Sequence, residues 1–157
     1  MADSIAGLRW TTPSDWKNQG TAPMRAATYQ VPLAPGDRGV AECVVYFFGQ
    51  GQGGPVDANI ARWNGQFQTP SGHPAMAHIG KRVIHGLPVT TMDVSGTYSG
   101  MGGPLAQPAP VPDYRMLGAI IENSGGNIFL KFTGPSRTVA ANEARFEKFL
   151  ESFGKQR

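Results

Sequence analysis

The chain has 157 residues, of which 40% are hydrophobic and 16% charged, a size and composition typical of one globular domain over residues 1–157. Its 14 lysine and arginine residues and 11 acidic residues give a formal net charge of +3. Because the basic residues are scattered along the chain, they give no support to nucleic-acid binding. No run of about 18 apolar residues occurs, so no membrane-spanning helix is predicted.

The amino-terminal part of the chain is predicted to contain short strands and one hairpin. Residues 7–11 have strand character and are followed by a turn at residues 13–16. Residues 25–31 have strand character and residues 40–48 are largely apolar, and the two segments flank the turn signal Pro35-Gly36-Asp37, an arrangement typical of a hairpin. Both alternating sets of the second run are largely apolar, so we expect that strand to be covered on both faces.

The apolar period changes after Pro55, which predicts an amphipathic helix. Val56, Ile60, Trp63 and Phe67 recur at i, i+4, i+7 and i+11 and therefore share one face of a helix. Pro55 suits the first position of a helix, where its missing N–H costs nothing. We expect this helix to close a hydrophobic core against the sheet.

The second half of the chain is predicted to contain four strands and a carboxy-terminal helix. Residues 81–84 and 87–98 have strand character, and a proline- and glycine-rich insertion at about residues 100–113 predicts an extended surface loop. Residues 114–122 and 127–133 predict a second hairpin, and residues 138–153 a helix packed on the sheet. Hairpins in series with only two helices favour an α+β fold with a mainly antiparallel sheet.

The glycine run from Gly49 to Gly54 is similar to the phosphate-binding turn of dinucleotide-binding proteins. A true site needs free N–H groups at the start of the helix and a parallel strand that ends in an acidic residue about 20 positions later. Pro55 removes one N–H, and no acidic residue lies between Asp57 and Asp93. We interpret the run as a connector between strand and helix, with nucleotide binding as the alternative.

The other candidates for chemistry are three histidines and one cysteine. His73, His78 and His85 are five and seven residues apart, spacings that match no standard metal-ligand pattern. Metal binding or a small enzyme that uses these histidines stays an alternative. Cys43 lies among apolar residues, which is typical of an inert buried thiol. We predict no catalytic residue, cofactor or metal.

A polar stripe on the first predicted helix is the candidate functional surface. Asn59, Arg62 and Gln66 lie beside the apolar face that includes Trp63. These side chains could meet a partner or ligand, or they could bond to neighbouring loops at the rim of the core. Arg62 is the residue to mutate first, because its planar set of donors serves either role.

Five segments of the chain together resemble small uncharacterised bacterial proteins, often exported, that are similar to the PsbP-like α/β/α sandwich superfamily. They are Pro13-Ser14-Asp15-Trp16, residues 59–67, Val94-Ser95-Gly96-Thr97-Tyr98, residues 132–135 and residues 149–153. The resemblance implies a sheet between helices and a non-enzymatic accessory or binding role. It leaves the protein or small-molecule partner and the oligomeric state unspecified.

The resemblance also implies an extracytoplasmic location, either periplasmic or secreted. The amino terminus Met-Ala-Asp-Ser-Ile lacks the basic and apolar regions of a signal peptide. An exported protein would therefore need a signal peptide that this sequence does not contain, and a cytoplasmic location stays open.

Overall fold

The computed structural model describes residues 3–99 and 111–155, and all pairings between the described strands are antiparallel. In chain order the elements are β1 (Ser4–Ile5), β2 (Leu8–Arg9), β3 (Lys17–Asn18), β4 (Arg25–Gln30), β5 (Glu42–Tyr46), α1 (Val56–Asn64), β6 (Phe67–Gln68), β7 (His78–Ile84), β8 (Leu87–Tyr98), β9 (Val111–Ile121), β10 (Ile128–Pro135), α2 (Ser136–Ala141), α3 (Glu143–Glu151) and β11 (Gly154–Lys155).

The main sheet has eight strands, in the order β3-β4-β5-β10-β9-β8-β6, with β7 also paired to β8. The hairpins β4–β5 and β9–β10 were both predicted, and they meet at the centre of the sheet through β5 and β10. A second, small sheet joins β1, β2 and β11. The predicted α+β class with a mainly antiparallel sheet is therefore confirmed.

Helices cover both faces of the main sheet. On β10, Leu130 and Phe132 face one core, which includes Phe149 of α3. Phe129, adjacent to Leu130 in sequence, faces the other core, where Trp63 of α1 packs. Strand alternation produces this division, because successive side chains point to opposite faces, and the result is an α/β/α sandwich.

Both predicted helices are shorter in the structure than their apolar patterns suggest. Helix α1 ends at Asn64, and Gly65 follows as its cap. Phe67 therefore lies in β6, although it still packs in the core that α1 covers. The predicted carboxy-terminal helix is two helices, because the backbone at Asn142 leaves the helical region at ψ 8°. The predicted apolar stripe from Val139 to Phe153 is nevertheless buried.

The predicted insertion at residues 100–113 is only partly within the described residues. Residues 100–110 lie outside them, and residues 111–113 belong to β9 rather than to a loop. Of the helices that the structure describes, none has the length and apolar character needed to cross a bilayer.

Candidate functional site

A polar cluster interrupts the apolar face of the main sheet beneath α1. Lys131 shares this face with Phe129, because the two residues are two positions apart on β10. Register pairs Lys131 with Val44, so Glu42 and Tyr46 are its diagonal neighbours on β5. We define the Lys131 cluster as Arg25, Glu42, Tyr46, Arg62, Gln66, Tyr98 and Lys131.

Lys131 is the centre of this cluster. Its Nζ donates a hydrogen bond of 2.6 Å to Oε1 of Gln66 and lies 5.8 Å from the centroid of the Tyr98 ring, within the range of a cation–π contact. Burial lowers the pKa of Lys131 to about 8, and the positive charge of Arg62 contributes to the lowering. An amine with a pKa near 8 changes its charge close to physiological pH.

Glu42 is the only carboxylate of the cluster. Its Oε2 is 3.7 Å from Nη1 of Arg25, too far for a hydrogen bond, and this buried oxygen has no hydrogen-bond partner in the described residues. Burial raises the pKa of Glu42, while the charges of Arg25 and Lys131 oppose that rise. The positive charges of Arg25 and Lys131 therefore do not fully offset the free-energy cost of burying the Glu42 carboxylate.

Tyr46 and Tyr98 contribute their aromatic rings and hydroxyl groups to the cluster. The Arg25 guanidinium lies over the Tyr46 ring, 5.5 Å from its centroid. Burial raises the pKa of Tyr46 and raises that of Tyr98 to about 12, so both hydroxyl groups are neutral near pH 7. In the part of the chain that the structure describes, neither hydroxyl makes a hydrogen bond.

The three side chains predicted for the candidate surface have different positions in the structure. Asn59 is buried, and its amide donates to the carbonyls of Gly53 and Pro55 at 2.8 and 2.9 Å. Its Oδ1 accepts a hydrogen bond from Arg62, whose side chain is exposed. Gln66 is buried and holds Lys131. Asn59 therefore supports the loop before α1, whereas Arg62 and Gln66 belong to the Lys131 cluster.

Sequence reasoning missed Lys131 and Glu42, although each leaves a signal in the sequence. Lys131 is the one charged residue in β10, and Glu42 is the one charged residue in β5. Both strands lie inside the main sheet with helices on both sides. A charged residue in such a strand costs free energy unless it is paired or functional, so a lone charge within an apolar strand marks each residue as a candidate.

The glycine run connects β5 to α1 and does not have the surroundings of a dinucleotide site. Gly49, Gly51, Gly53 and Gly54 have φ between 73° and 108°, a region that favours glycine. A Cβ at Gly53 would lie 2.8 Å from the Phe129 ring, so the loop packs closely on the core. All described strand pairs are antiparallel, whereas a dinucleotide fold places this turn between parallel strands.

His78 and His85 lie at opposite ends of β7 in the structure. His78 begins β7 and His85 follows its end, a separation of about 20 Å for a strand of this length. His85 Nδ1 lies 2.9 Å from the Phe153 carbonyl oxygen. Within residues 3–99 and 111–155, no group of three or more His, Cys, Asp or Glu side chains is placed to hold a metal ion.

Cys43 points away from the Lys131 cluster and into the core beneath α3. Its side chain is fully buried, and burial raises the pKa of its thiol well above the usual value. The thiolate is the reactive form of cysteine. The environment therefore agrees with an inert structural thiol.

Comparison with known proteins supports the fold and no particular activity. No protein-family model and no curated protein matches the sequence. The solution structure of the cyanobacterial PsbP protein CyanoP from Synechocystis is similar, with a TM-score of 0.58 and 14% identity over 99% of this chain and 91% of that chain.

A crystal structure of a Pseudomonas aeruginosa protein of unknown function, PA94, is also similar. Its TM-score is 0.54, with 16% identity over 89% of this chain and 85% of that chain. The chain therefore has the PsbP-like fold, as the sequence resemblance implied. At this level of identity the two likenesses describe architecture alone, and function has to be argued from the site.

Proposed function

We propose that this PsbP-like chain is a non-enzymatic accessory or binding protein that holds an anionic group of its partner or ligand at the Lys131 cluster. The observation that carries the proposal is the environment of Lys131. Its Nζ has one hydrogen-bond acceptor in the described residues, the neutral amide oxygen of Gln66. No carboxylate among these residues lies within 4 Å of it.

The charges of the cluster are unbalanced. Arg25, Arg62 and Lys131 carry positive charge, and Glu42 is the one negative group. The pKa of Lys131 is lowered by burial and by both arginines, while Glu42 raises it. An added anion would stabilise the charged lysine, because opposite charges attract strongly where water is partly excluded.

The cluster also contains more hydrogen-bond donors than acceptors. Arg62 donates one hydrogen bond to Asn59, although a guanidinium has five N–H donors. The Tyr46 and Tyr98 hydroxyl groups stay protonated because burial raises the pKa of both. Carboxylate and phosphate groups accept several hydrogen bonds at once and suit such a set of donors.

The experiment uses affinity capture and small anions in parallel. Purified protein would be used to recover a partner from extracts of the source cells. It would also be titrated with inorganic phosphate and with acetate at constant ionic strength while the Lys131 pKa is followed by NMR. We expect anion binding to raise that pKa, because a bound negative charge favours the protonated amine. Capture without an effect of small anions would indicate a protein partner that supplies the anionic group.

Arg62→Ala is the test variant, and Arg145→Ala is its matched control. Both arginines are exposed and helical, but Arg145 lies on α3 and pairs with Asp15 at 3.3 Å, on the opposite side of the sheet. Arg62→Ala should weaken binding at least about tenfold, since hydrogen bonds to charged groups contribute about 1.5 to 3 kcal/mol. Undiminished binding by a folded Arg62→Ala protein would exclude this surface.

An extracytoplasmic location is part of the same proposal. The support is the resemblance of residues 13–16, 59–67 and 94–98 to proteins that are often exported. Cell fractionation with antibodies against the native protein tests it. Recovery in the cytosolic fraction alone would contradict it.

A further inference from the structure

Strand β7 forms an outer edge of the main sheet. It pairs with β8 in continuous register, from His78 opposite Asp93 to Ile84 opposite Leu87. The connection is the two-residue turn His85-Gly86, and both residues have positive φ, as a type I′ hairpin requires. No other described strand pairs with β7, so one side of its backbone faces outward.

The outward-facing backbone groups can be assigned from the hairpin. The Pro88 carbonyl accepts a hydrogen bond of 2.9 Å from the Glu122 N–H, on the far side of β8 from β7. Its register partner Val83 is therefore at a position that makes no hydrogen bond to β8. Because bonded and unbonded positions alternate in antiparallel pairs, the N–H and C=O groups of Ile79, Lys81 and Val83 point outward.

The same three residues project their side chains onto the α1 side of the sheet. Ile79 and Lys81 line a groove of about 800 Å³ whose opposite wall includes Val56 and Ile60 of α1. The side chains of Ile79 and Val83 are 48% and 69% exposed. This edge therefore combines free backbone groups with two apolar side chains. It lies on the flank of α1 away from Arg62 and Gln66, so it is separate from the Lys131 cluster.

The positive charge of Lys81 determines which side chain an added strand should carry opposite it. Lys81 is exposed and forms no ion pair with the described residues. Glu122 and Asp57 also line the groove, but Glu122 follows β9, so an added strand would lie three strand spacings from it, roughly 14 Å. A residue of that strand opposite Lys81 would be about 5 Å away. Lys81 is the charged side chain of β7 on this face, since Arg82 alternates to the other face and pairs with Glu147. The charge that the adjacent strand presents to an added strand here is therefore positive.

A second copy of the chain suits this edge poorly. Two β7 strands paired about a two-fold axis at Lys81 would place the two lysines opposite each other, and like charges in that position are destabilising. Lysine on an edge strand commonly prevents such self-association. An axis at Gly80 would instead place each Lys81 opposite Ile79 of the other copy, which also leaves both charges unpaired.

We propose that β7 binds an extended segment of a partner protein as an added strand, with apolar side chains opposite Ile79 and Val83 and an acidic side chain opposite Lys81. Backbone hydrogen bonds to the three outward positions supply binding, and the alternation of apolar and acidic residues supplies selectivity. This proposal does not depend on anion binding at the Lys131 cluster.

The test uses the acetylated and amidated heptapeptide Thr-Val-Thr-Glu-Thr-Val-Thr and a peptide in which lysine replaces the glutamate. Amide spectra of the labelled full chain would be recorded during titration to millimolar peptide. We expect the amides of Ile79, Lys81 and Val83 to shift and those of Gly80 and Arg82 to change little. The lysine peptide should bind about tenfold more weakly, and Lys81→Glu should reverse this preference, because the cross-strand charge pair changes sign.

Val83→Pro removes one outward N–H without removing a hydrogen bond to β8, and proline is tolerated at such edge positions. Peptide binding to this variant should fall about tenfold, because a peptide carbonyl is left without its hydrogen-bond donor, whereas Val83→Thr, which keeps the N–H, should bind within about twofold of the native chain. Absence of shifts at Ile79, Lys81 and Val83, or equal binding of the two peptides, would overturn the proposal. Self-association that Val83→Pro abolishes in sedimentation experiments would also overturn it, in favour of a second copy.

Discussion

Nζ of Lys131 and Oε1 of Gln66 lie 2.6 Å apart, and their hydrogen bond joins the middle of β10 to the residue that follows the cap of α1. The two residues are separated by 65 positions in the chain. The bond fixes the end of α1 over the sheet and positions the amine between Tyr98, Arg62 and the β5 side chains. The carboxy-terminal end of α1 is therefore connected to the centre of the sheet through the side chain of Lys131.

Lys131 should titrate near pH 8, well below its ordinary pKa of 10.5. Burial is the main cause of the lowered pKa, and Arg62 is the next. NMR of ¹³C-methylated lysines measures this pKa directly. Arg62→Met should raise it, because that variant removes a nearby positive charge. A native pKa of 10 or above would contradict the buried environment.

The lowered pKa also predicts how stability depends on pH. Folding favours the neutral amine of Lys131, so its contribution to the free energy of unfolding is fully present above pH 10.5, the pKa in the unfolded chain. That contribution decreases as the pH falls below 10.5 and is lost once the pH has passed through about 8. Lys131→Met cannot ionise, so its free energy of unfolding should vary less between pH 8 and 10.5 than that of the native chain. Urea unfolding at several pH values measures the difference, and parallel curves for the two proteins would contradict the prediction.

Gly118→Ala should destabilise the protein by about 1 to 3 kcal/mol, the usual cost of overpacking a core. A Cβ at this position would lie 2.9 Å from the Trp63 ring and 3.1 Å from Cγ of Met92. Gly80→Ala is a suitable control, because its Cβ would meet only the Thr91 hydroxyl at 2.9 Å, which can rotate away. Urea unfolding measures both variants, and a smaller loss for Gly118→Ala than for Gly80→Ala would show that Trp63 moves freely.

Arg115→Met should cost about 1 to 2 kcal/mol, because charge-assisted hydrogen bonds are lost. Arg115 donates to both carboxylate oxygens of Asp93 at 2.9 and 2.6 Å and lies 3.0 Å from Glu143. It thereby joins β8, β9 and the first turn of α3. Arg145→Met is the control, since its exposed pair with Asp15 should contribute less, about 0.2 to 1 kcal/mol. Equal losses in thermal or urea unfolding would contradict the prediction.

Cys43 should react with thiol reagents only when the protein unfolds. Its side chain is fully buried, and burial raises the pKa of the thiol, so both access and thiolate are lacking. The rate of labelling at pH 8 should increase with urea in parallel with global unfolding. Rapid labelling of the native protein without denaturant would show that β5 opens locally.

Local patterns identified most of the elements that the structure contains. The alternation of residues 40–48 predicted a strand buried on both faces, and β5 lies between β4 and β10 beneath α1. The 3.6-residue period predicted α1 and the buried stripe at the carboxy terminus. The predicted continuation of the first helix to Phe67 and the single helix over residues 138–153 were wrong. Periodicity reports which residues face the core, whereas backbone conformation after Gly65 and at Asn142 ends the helices.

The sequence by itself determined the α+β class, the two central hairpins and the helix that carries Arg62 and leads to Gln66, because these depend on the periodicity of neighbouring residues. Only the tertiary structure decided which side chains surround Lys131. Antiparallel register places Glu42 and Tyr46 beside it, although they are more than 80 positions away in the chain. Burial and charge then lower its pKa, and both are properties of the packed sheet that no local pattern contains.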